Sequence, residues 1–209
     1  MKNLFSTSIG KKFAMAISAI FLMIFLLQHF IINITSVFSE DIFNMLSHFM
    51  GTNFLVQFIL QPILIAGVLF HFIMGFYLEI QNRKAAKYEY QKEKGSANST
   101  WMSRNMITSG LVILAFLVLH FIDFWVPEMN YKYIEFLPED PNRYYEELVH
   151  KFQNPFRVAM YCISFVLLAL HLLHGFTSSL RSMGTNKSYV SSAKTAGIVY
   201  SIGIPLGFC

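Results

Sequence analysis

The chain contains few charged residues. They make up 13% of its 209 residues, whereas 55% are hydrophobic and 22 are Phe. A soluble domain usually carries about 25% charged residues. The deficit excludes an ordinary water-soluble domain and indicates that lipid is the solvent. The net charge is only +4, and the basic residues lie in short segments between apolar runs, so a nucleic-acid partner is not expected.

Cysteine and buried acidic residues are also scarce. The two cysteines, Cys162 and Cys209, lie in apolar runs and form no CxxC pair, which argues against a disulfide framework or a zinc site. Within or near the apolar runs the only acidic residues are Glu79 and Asp123, both close to the ends of runs. A transmembrane proton relay more often includes carboxylates deep in the membrane.

Five long apolar runs are present, at 13–38, 54–80, 103–126, 155–180 and 191–209. Each must be helical if it crosses a membrane, because a single segment in hydrocarbon has to satisfy its own backbone hydrogen bonds. The first run follows basic residues, as in a signal peptide, but its ~25 residues exceed the usual 7–15. We therefore expect a retained span. The prediction is an all-α integral membrane protein, one domain over 1–209, with five transmembrane helices and an antiparallel bundle of the first four.

The distribution of basic residues predicts the orientation. Of the 16 Lys and Arg, ten lie in the N-terminal segment, the segment after the second run and the segment after the fourth. Arg104 and Lys194 adjoin the last two segments at the starts of the third and fifth runs, which brings the total on this side to 12. The positive-inside rule places these segments, and the N-terminus, in the cytoplasm. The outer side then holds two connecting segments, 39–52 and 127–154, the second of which has six acidic and three basic residues. A short interfacial helix is predicted at 144–152, "YYEELVHKF".

Histidine supplies the candidate functional groups. His48 and His150 fall in the outer segments, where a solvated polar residue is the expected reading. The other five lie inside apolar runs, where ionisable groups are costly and mark functional sites by default. These five are His29, His71, His120, His171 and His174. A lone histidine in a span is often only a hydrogen-bond partner for a neighbouring helix, but here four different runs each carry at least one.

The depths of these histidines match in pairs. Counted from the cytoplasmic ends of their runs, His29 and His120 lie roughly 24–25 Å into the membrane, at 1.5 Å per helical residue. His71 and His171 lie roughly 24 Å from the outer ends of their runs. The first pair is therefore level in the outer half of the bilayer, and the second pair is level in the inner half.

Level pairs of imidazoles on different helices are typical of a cofactor site in a bundle. Two imidazoles on opposite faces of a flat iron macrocycle give a six-coordinate b-type haem, which favours electron transfer over oxygen binding. Zinc would need three or four clustered ligands instead. We therefore predict two b-type haems, held by His29 with His120 and by His71 with His171.

His174 follows His171 by three residues and lies about 4.5 Å deeper, out of level with His71. Depth alone favours His171 as the ligand. His174 is better placed to meet a haem propionate or a quinone head group, or to bond a neighbour. The glycines near these residues, Gly67, Gly75 and Gly175, would admit either a porphyrin face or a closely packed helix.

Four stretches carry a family resemblance: "SIGKKFAMAISAIFLMIFLLQHF", "VLFHFIMGFYLEIQNRKA", "GLVILAFLVLHF" and "HLLHGFTSSLRSMG". Over nearly its whole length the chain resembles the dihaem cytochrome b membrane anchor of bacterial succinate:quinone oxidoreductases and quinol:fumarate reductases. The first stretch and the fourth-helix spacing of His171, Gly175 and Gly184 are the most specific parts, and His174 is outside that register. By resemblance the four axial ligands fall on the same residues that depth selects: His29, His71, His120 and His171.

The resemblance implies a function. Such an anchor holds a flavoprotein subunit and an iron–sulfur subunit on the cytoplasmic face of the bacterial cytoplasmic membrane, with the basic inner segments docking the latter. Electrons from succinate then reach a quinone, most often menaquinone, through the inner and outer haems. One departure is Ala169, where some fumarate-reducing members have a glutamate proposed for proton return. This difference favours succinate oxidation, as in respiratory complex II.

The quinone site cannot be assigned from the sequence. Polar residues expected near the outer haem are His48, Asn53, Gln57 and Asp123, and the alternative for Arg157 is to neutralise a haem propionate. Each is equally compatible with an ordinary interfacial role. Two other functions remain open: the dihaem cytochrome b subunit of a formate dehydrogenase or hydrogenase, and a transporter or assembly protein whose histidines bind metal or shuttle protons.

Overall fold

The computed structural model describes residues 7–89 and 105–209, and within these ranges helix is the only regular secondary structure. The all-α class is therefore confirmed. The basic residues Lys2, Lys92, Lys94 and Arg104 lie outside the described residues. The helices, numbered along the chain, are α1 Ser8–Ile34, α2 Glu40–Thr52, α3 Gln61–Glu89, α4 Met106–His120, α5 Val126–Tyr133, α6 Arg143–Phe152, α7 Pro155–Ser182 and α8 Lys187–Phe208.

Four helical segments of the described chain are long and apolar enough to cross a membrane. Large apolar side chains on these segments point outward: Ile24 is 64% exposed, Ile73 65% and Val166 60%. Such exposure is unfavourable in water and matches a hydrocarbon solvent, so this is a membrane protein. The fifth predicted span, 191–209, corresponds to α8, which is not one of these four. The four segments are Ser8–Val37, Val56–Lys84, Met106–Tyr133 and Pro155–Ser182.

The third of these segments extends beyond its predicted end at residue 126. A proline inside an α-helix removes one hydrogen bond and collides with a carbonyl of the preceding turn. Here a π-helical turn, Phe121–Trp125, precedes Pro127, and the Val126 N–H bonds to the Phe121 carbonyl. The wider turn makes room for the proline ring, so that α4 and α5 form one continuous helix to Tyr133.

The four long segments form a bundle with two diagonals. α1 packs against α3 and α7, and α4 packs against the same two helices, so α1 lies opposite α4 and α3 lies opposite α7. A Cβ atom on Gly67 would lie 2.7 Å from Cε1 of Phe21, so glycine is needed for α3 to approach α1. α8 covers α1 and α7 from outside, and the Tyr200 hydroxyl donates to the Met23 carbonyl at 2.5 Å.

Both ends of α7 are fixed by local hydrogen bonds. At the N-terminus the Asn154 side chain accepts from the backbone N–H groups of Phe156 and Arg157. At the C-terminus Gly184 adopts the left-handed conformation (φ +78°), and the Thr185 N–H bonds to the Leu180 carbonyl at 3.3 Å. This is a Schellman ending, which favours glycine. The two caps set the length of α7 and hence the depth of its histidines.

A cap of two short helices covers the end of the bundle at which α1 ends, which is the outer end in the predicted orientation. The helix predicted at 144–152 is confirmed as α6. For residues 39–52 the sequence predicts only a connecting segment, whereas the structure has the helix α2 there. Its signals are Ser39, whose side chain accepts from the Ile42 N–H, and apolar residues recurring at helical spacing after it. α2 packs against α6, where the buried Asn44 accepts from the Tyr145 N–H at 2.8 Å.

Candidate functional site

The histidines expected at equal depths meet inside the bundle as two pairs. The rings of His29 and His120 have centroids 5.8 Å apart and planes at 87°. The rings of His71 and His171 have centroids 6.4 Å apart and planes at 66°. In each pair the two residues come from diagonally opposite helices, so the rings bridge the centre of the bundle where the backbones are too far apart to pack.

The separation of the rings in each pair fits one metal ion. A metal–imidazole bond is about 2.0 Å long and the ring centre lies about 1.1 Å beyond the nitrogen. Two imidazoles on opposite sides of one metal ion therefore have centroids about 6.3 Å apart. The observed values of 5.8 Å and 6.4 Å are close to this distance. Among the described residues no three His, Cys, Asp or Glu side chains cluster as a metal site, so the imidazoles meet only in twos.

The inner pair, His71 and His171, has a hydrogen-bond partner for each ring. The Ser18 hydroxyl on α1 lies 3.0 Å from Nδ1 of His71. The Ser109 hydroxyl on α4 lies 3.1 Å from Nδ1 of His171. Gly110, next to Ser109, lies against His171, since a Cβ there would be 3.8 Å from the ring carbon Cε1. Each inner histidine is therefore held by a helix adjacent to its own.

The outer pair, His29 and His120, lies instead among aromatic rings. Phe25 stacks on His29 with centroids 5.5 Å apart, and Phe124 lies 5.1 Å from His120. The Asn33 amide is 3.4 Å from Nδ1 of His29 but donates at 2.8 Å to the backbone carbonyl of the same residue. Nδ1 of His120 is buried and has no hydrogen-bond partner among the described residues. The outer rings are thus less firmly oriented by polar contacts than the inner rings.

His174 and three glycines that the sequence indicates lie near the two histidine pairs but are not part of them. His174 is on α7 but takes part in neither ring pair. Gly175 lies near Met106, whose Cε would be 3.7 Å from an added Cβ. Gly75 lies similarly near Met15, at 3.5 Å. With Gly67 against Phe21, these three glycines serve contacts between helices in this structure.

A buried polar cluster lies one turn beyond His120. Asp123, only 3% exposed, accepts hydrogen bonds from Arg157 and, at 2.8 Å, from the Tyr161 hydroxyl. The Tyr161 ring in turn lies 6.4 Å from the His120 ring and 5.0 Å from that of Phe116. Asp123 and Arg157 were considered separately from the sequence, as a quinone residue and a propionate partner. The structure pairs them with each other, which ties the π-helical turn to α7.

A cavity of about 230 Å³ opens among α2, α5 and α6, at the end of the bundle that is outermost in the predicted orientation. We call it the outer cavity. Its lining includes His48, Gln57, Lys132, Arg143 and Tyr144. Both cations bond to Glu128, and burial raises the pKa of the Tyr144 phenol to about 12, so it stays neutral. Nδ1 of His48 is buried without a hydrogen-bond partner in the described chain.

Of the four residues considered for a quinone, His48 and Gln57 line this cavity, whereas Asn53 and Asp123 do not. The Gln57 side chain accepts from the Tyr133 hydroxyl at 3.1 Å. The Asn53 side chain instead accepts from the backbone N–H groups of Leu55 and Val56 and so caps the second long segment.

No protein-family model, curated protein or solved structure matches this chain in the comparisons. Function is therefore inferred from the chemistry of the histidine pairs and their surroundings.

Proposed function

We propose that this protein is the dihaem cytochrome b subunit that anchors a succinate:quinone oxidoreductase, respiratory complex II, in the bacterial cytoplasmic membrane. The observation that carries the proposal is the meeting of four imidazoles of the long apolar segments in two pairs, each with ring centroids close to the separation expected across one metal ion. The resemblance of the sequence to such anchors supports the identity of the complex.

The chain's own residues would bind and orient the cofactors. His29 with His120 would hold an outer b-type haem, and His71 with His171 an inner one. When bound, two such haems carry single electrons between the two faces of the membrane. Because both axial positions of each iron would be filled by histidine, these sites favour electron transfer and leave no open position for oxygen. The apolar and aromatic side chains around the rings exclude water.

The arrangement of charge supports the direction of the chain and the side of the partners. Basic residues favour a cytoplasmic N-terminus, where a flavoprotein and an iron–sulfur subunit would dock. In this topology α8, packed on α1 and α7, is the fifth span. Ala169 leaves no carboxylate two residues before His171, which supports succinate oxidation rather than fumarate reduction.

We place quinone reduction, with menaquinone as the expected substrate, at the outer cavity. Asn53 and Asp123 are already bonded within the protein, whereas His48 and Gln57 line the cavity. An imidazole and a carboxamide supply the donors that quinone carbonyl oxygens need.

The spectrum of the purified protein tests the cofactor assignment. Expressed with adequate haem supply, it should give a reduced-minus-oxidised difference spectrum of b-type haem and a content of two haems per chain. Protein without haem would favour a transporter or assembly factor. Co-purification of a flavoprotein that oxidises succinate distinguishes complex II from a formate dehydrogenase or hydrogenase, whose catalytic partners oxidise formate or hydrogen.

A pair of glutamine variants tests the quinone site. Gln57→Leu in the intact complex should raise KM for a menaquinone analogue about tenfold, roughly the value of one lost hydrogen bond. The matched control is Gln81→Leu at the opposite end of the same long segment, Val56–Lys84, where the side chain donates to the exposed Tyr77 hydroxyl. Both variants should keep two haems. Equal KM values in Gln57→Leu and wild type would exclude Gln57 from the quinone site.

A further inference from the structure

We infer that Ser18 and Ser109 are positioning residues that hold the two inner histidines in a single tautomer, with Nδ1 protonated and Nε2 free to bind iron. The inference rests on the proposed function, because it concerns how the protein prepares His71 and His171 as ligands. The two hydroxyl groups are on α1 and α4, the helices that carry the outer pair.

The tautomer follows from counting protons. A serine hydroxyl has one hydrogen to donate. Ser18 lies 2.8 Å from the Met15 carbonyl and Ser109 lies 2.9 Å from the Met106 carbonyl, and a carbonyl oxygen can only accept. Each hydroxyl therefore donates to its own helix and has only lone pairs for the imidazole. The facing Nδ1 must be the donor, which places the lone pair of the neutral ring on Nε2.

The two serines occupy equivalent positions in the bundle. Ser18 precedes His29 by 11 residues on α1, and Ser109 precedes His120 by 11 residues on α4. Eleven residues make about three helical turns, roughly 16 Å along the axis and nearly the same face. Each of these two helices therefore carries a histidine of the outer pair and, about three turns away, a serine hydroxyl that contacts a histidine of the inner pair. This repeated spacing of serine and histidine is visible in the sequence.

The contacts also distinguish the two sites electronically. A hydrogen bond from the far nitrogen of a ligating imidazole raises its basicity and fixes its ring orientation. A more basic ligand stabilises the ferric form and lowers the reduction potential of the iron. Both inner ligands have such a bond, whereas the His120 Nδ1 in the outer pair has none among the described residues. Removing a serine hydroxyl should therefore affect the inner haem selectively.

The experiment compares Ser18→Ala and Ser109→Ala in the intact complex with a matched serine. Ser179→Ala is the control, because Ser179 is buried on α7 and makes the same bond to the carbonyl three residues earlier, that of Phe176. The measurements are retention of each haem, a redox titration resolving two potentials, and the EPR spectrum of the oxidised haems, which reports ring orientation.

Each alanine variant should weaken retention of the inner haem by roughly 10–100-fold, the usual effect of losing such a contact. The inner potential should shift upward and its EPR signal should move, with the outer haem unchanged. Ser18→Thr and Ser109→Thr keep a hydroxyl that bonds the preceding turn and should restore wild-type values. Ser179→Ala should behave as wild type.

Unchanged inner potential and retention in both alanine variants would overturn the inference, and so would threonine variants that behave like alanine. If an alanine variant fails to accumulate, the near-isosteric cysteine variant decides, because a thiol is a weak acceptor and should still raise the potential. Wild-type protein without haem would instead overturn the proposed function, so the two failures are distinguishable.

Discussion

Replacing His171 with alanine should remove the inner haem and leave the outer one, whereas His174→Ala should retain both. The two histidines are three residues apart on α7, yet only His171 meets His71, at 6.4 Å between ring centroids. Without His171, a haem at this site would keep only His71 as a protein ligand. The reduced-minus-oxidised absorbance of purified His171→Ala should fall to about half, as expected for two six-coordinate sites of similar absorbance.

The matched experiments use the other ligands. His71→Ala should give the same spectrum as His171→Ala, because the two residues serve one site. His29→Ala or His120→Ala should remove the other haem, and its distinct potential should be the one lost from a redox titration. If His174→Ala lost a haem while His171→Ala kept two, the depth argument and the pairing would both be wrong.

Replacing Asp123 with alanine should destabilise the outer half of the bundle and release the outer haem first. Its carboxylate is the acceptor for both Arg157 and Tyr161, and its side chain is only 1% exposed. Removing it leaves a guanidinium unpaired in a poorly solvated position, and breaking a buried pair costs roughly 3–5 kcal/mol. Because the Arg157 side chain is 30% exposed, we expect about 2–3 kcal/mol.

A double replacement separates the contribution of the ion pair to stability from that of side-chain packing. Asp123→Leu with Arg157→Leu replaces both partners by apolar groups and should recover most of the stability lost in Asp123→Ala. The measurement is unfolding of the detergent-solubilised protein by sodium dodecyl sulfate, followed by helix content and by the absorbance of the outer haem. An Asp123→Ala protein as stable as wild type would show that the ion pair does not hold α4 on α7.

The sequence by itself determined the helical class and four of the five spans that it predicted, and it predicted the depths of the histidines. This was possible because hydrocarbon leaves a single spanning segment no choice but helix, and helical rise is nearly constant. Counting residues therefore measures depth, and His29, His71, His120 and His171 could be sorted into level pairs before any contact was known.

Only the tertiary structure decided which faces meet. The depth of a residue does not fix how its helix is rotated about its own axis, because that rotation is set by packing. The sequence therefore did not show that α1 lies diagonally across from α4, or that Ser18 and Ser109 reach the rings of a neighbouring helix. The pairing of Asp123 with Arg157 joins residues 34 positions apart, and sequence reasoning gave them separate roles. Likewise, the sequence shows Pro127 but does not show that a π-helical turn before it relieves the clash between the proline ring and the helix backbone. Residue spacing determines depth along each helix, whereas the partners around each helix depend on how all the helices pack together.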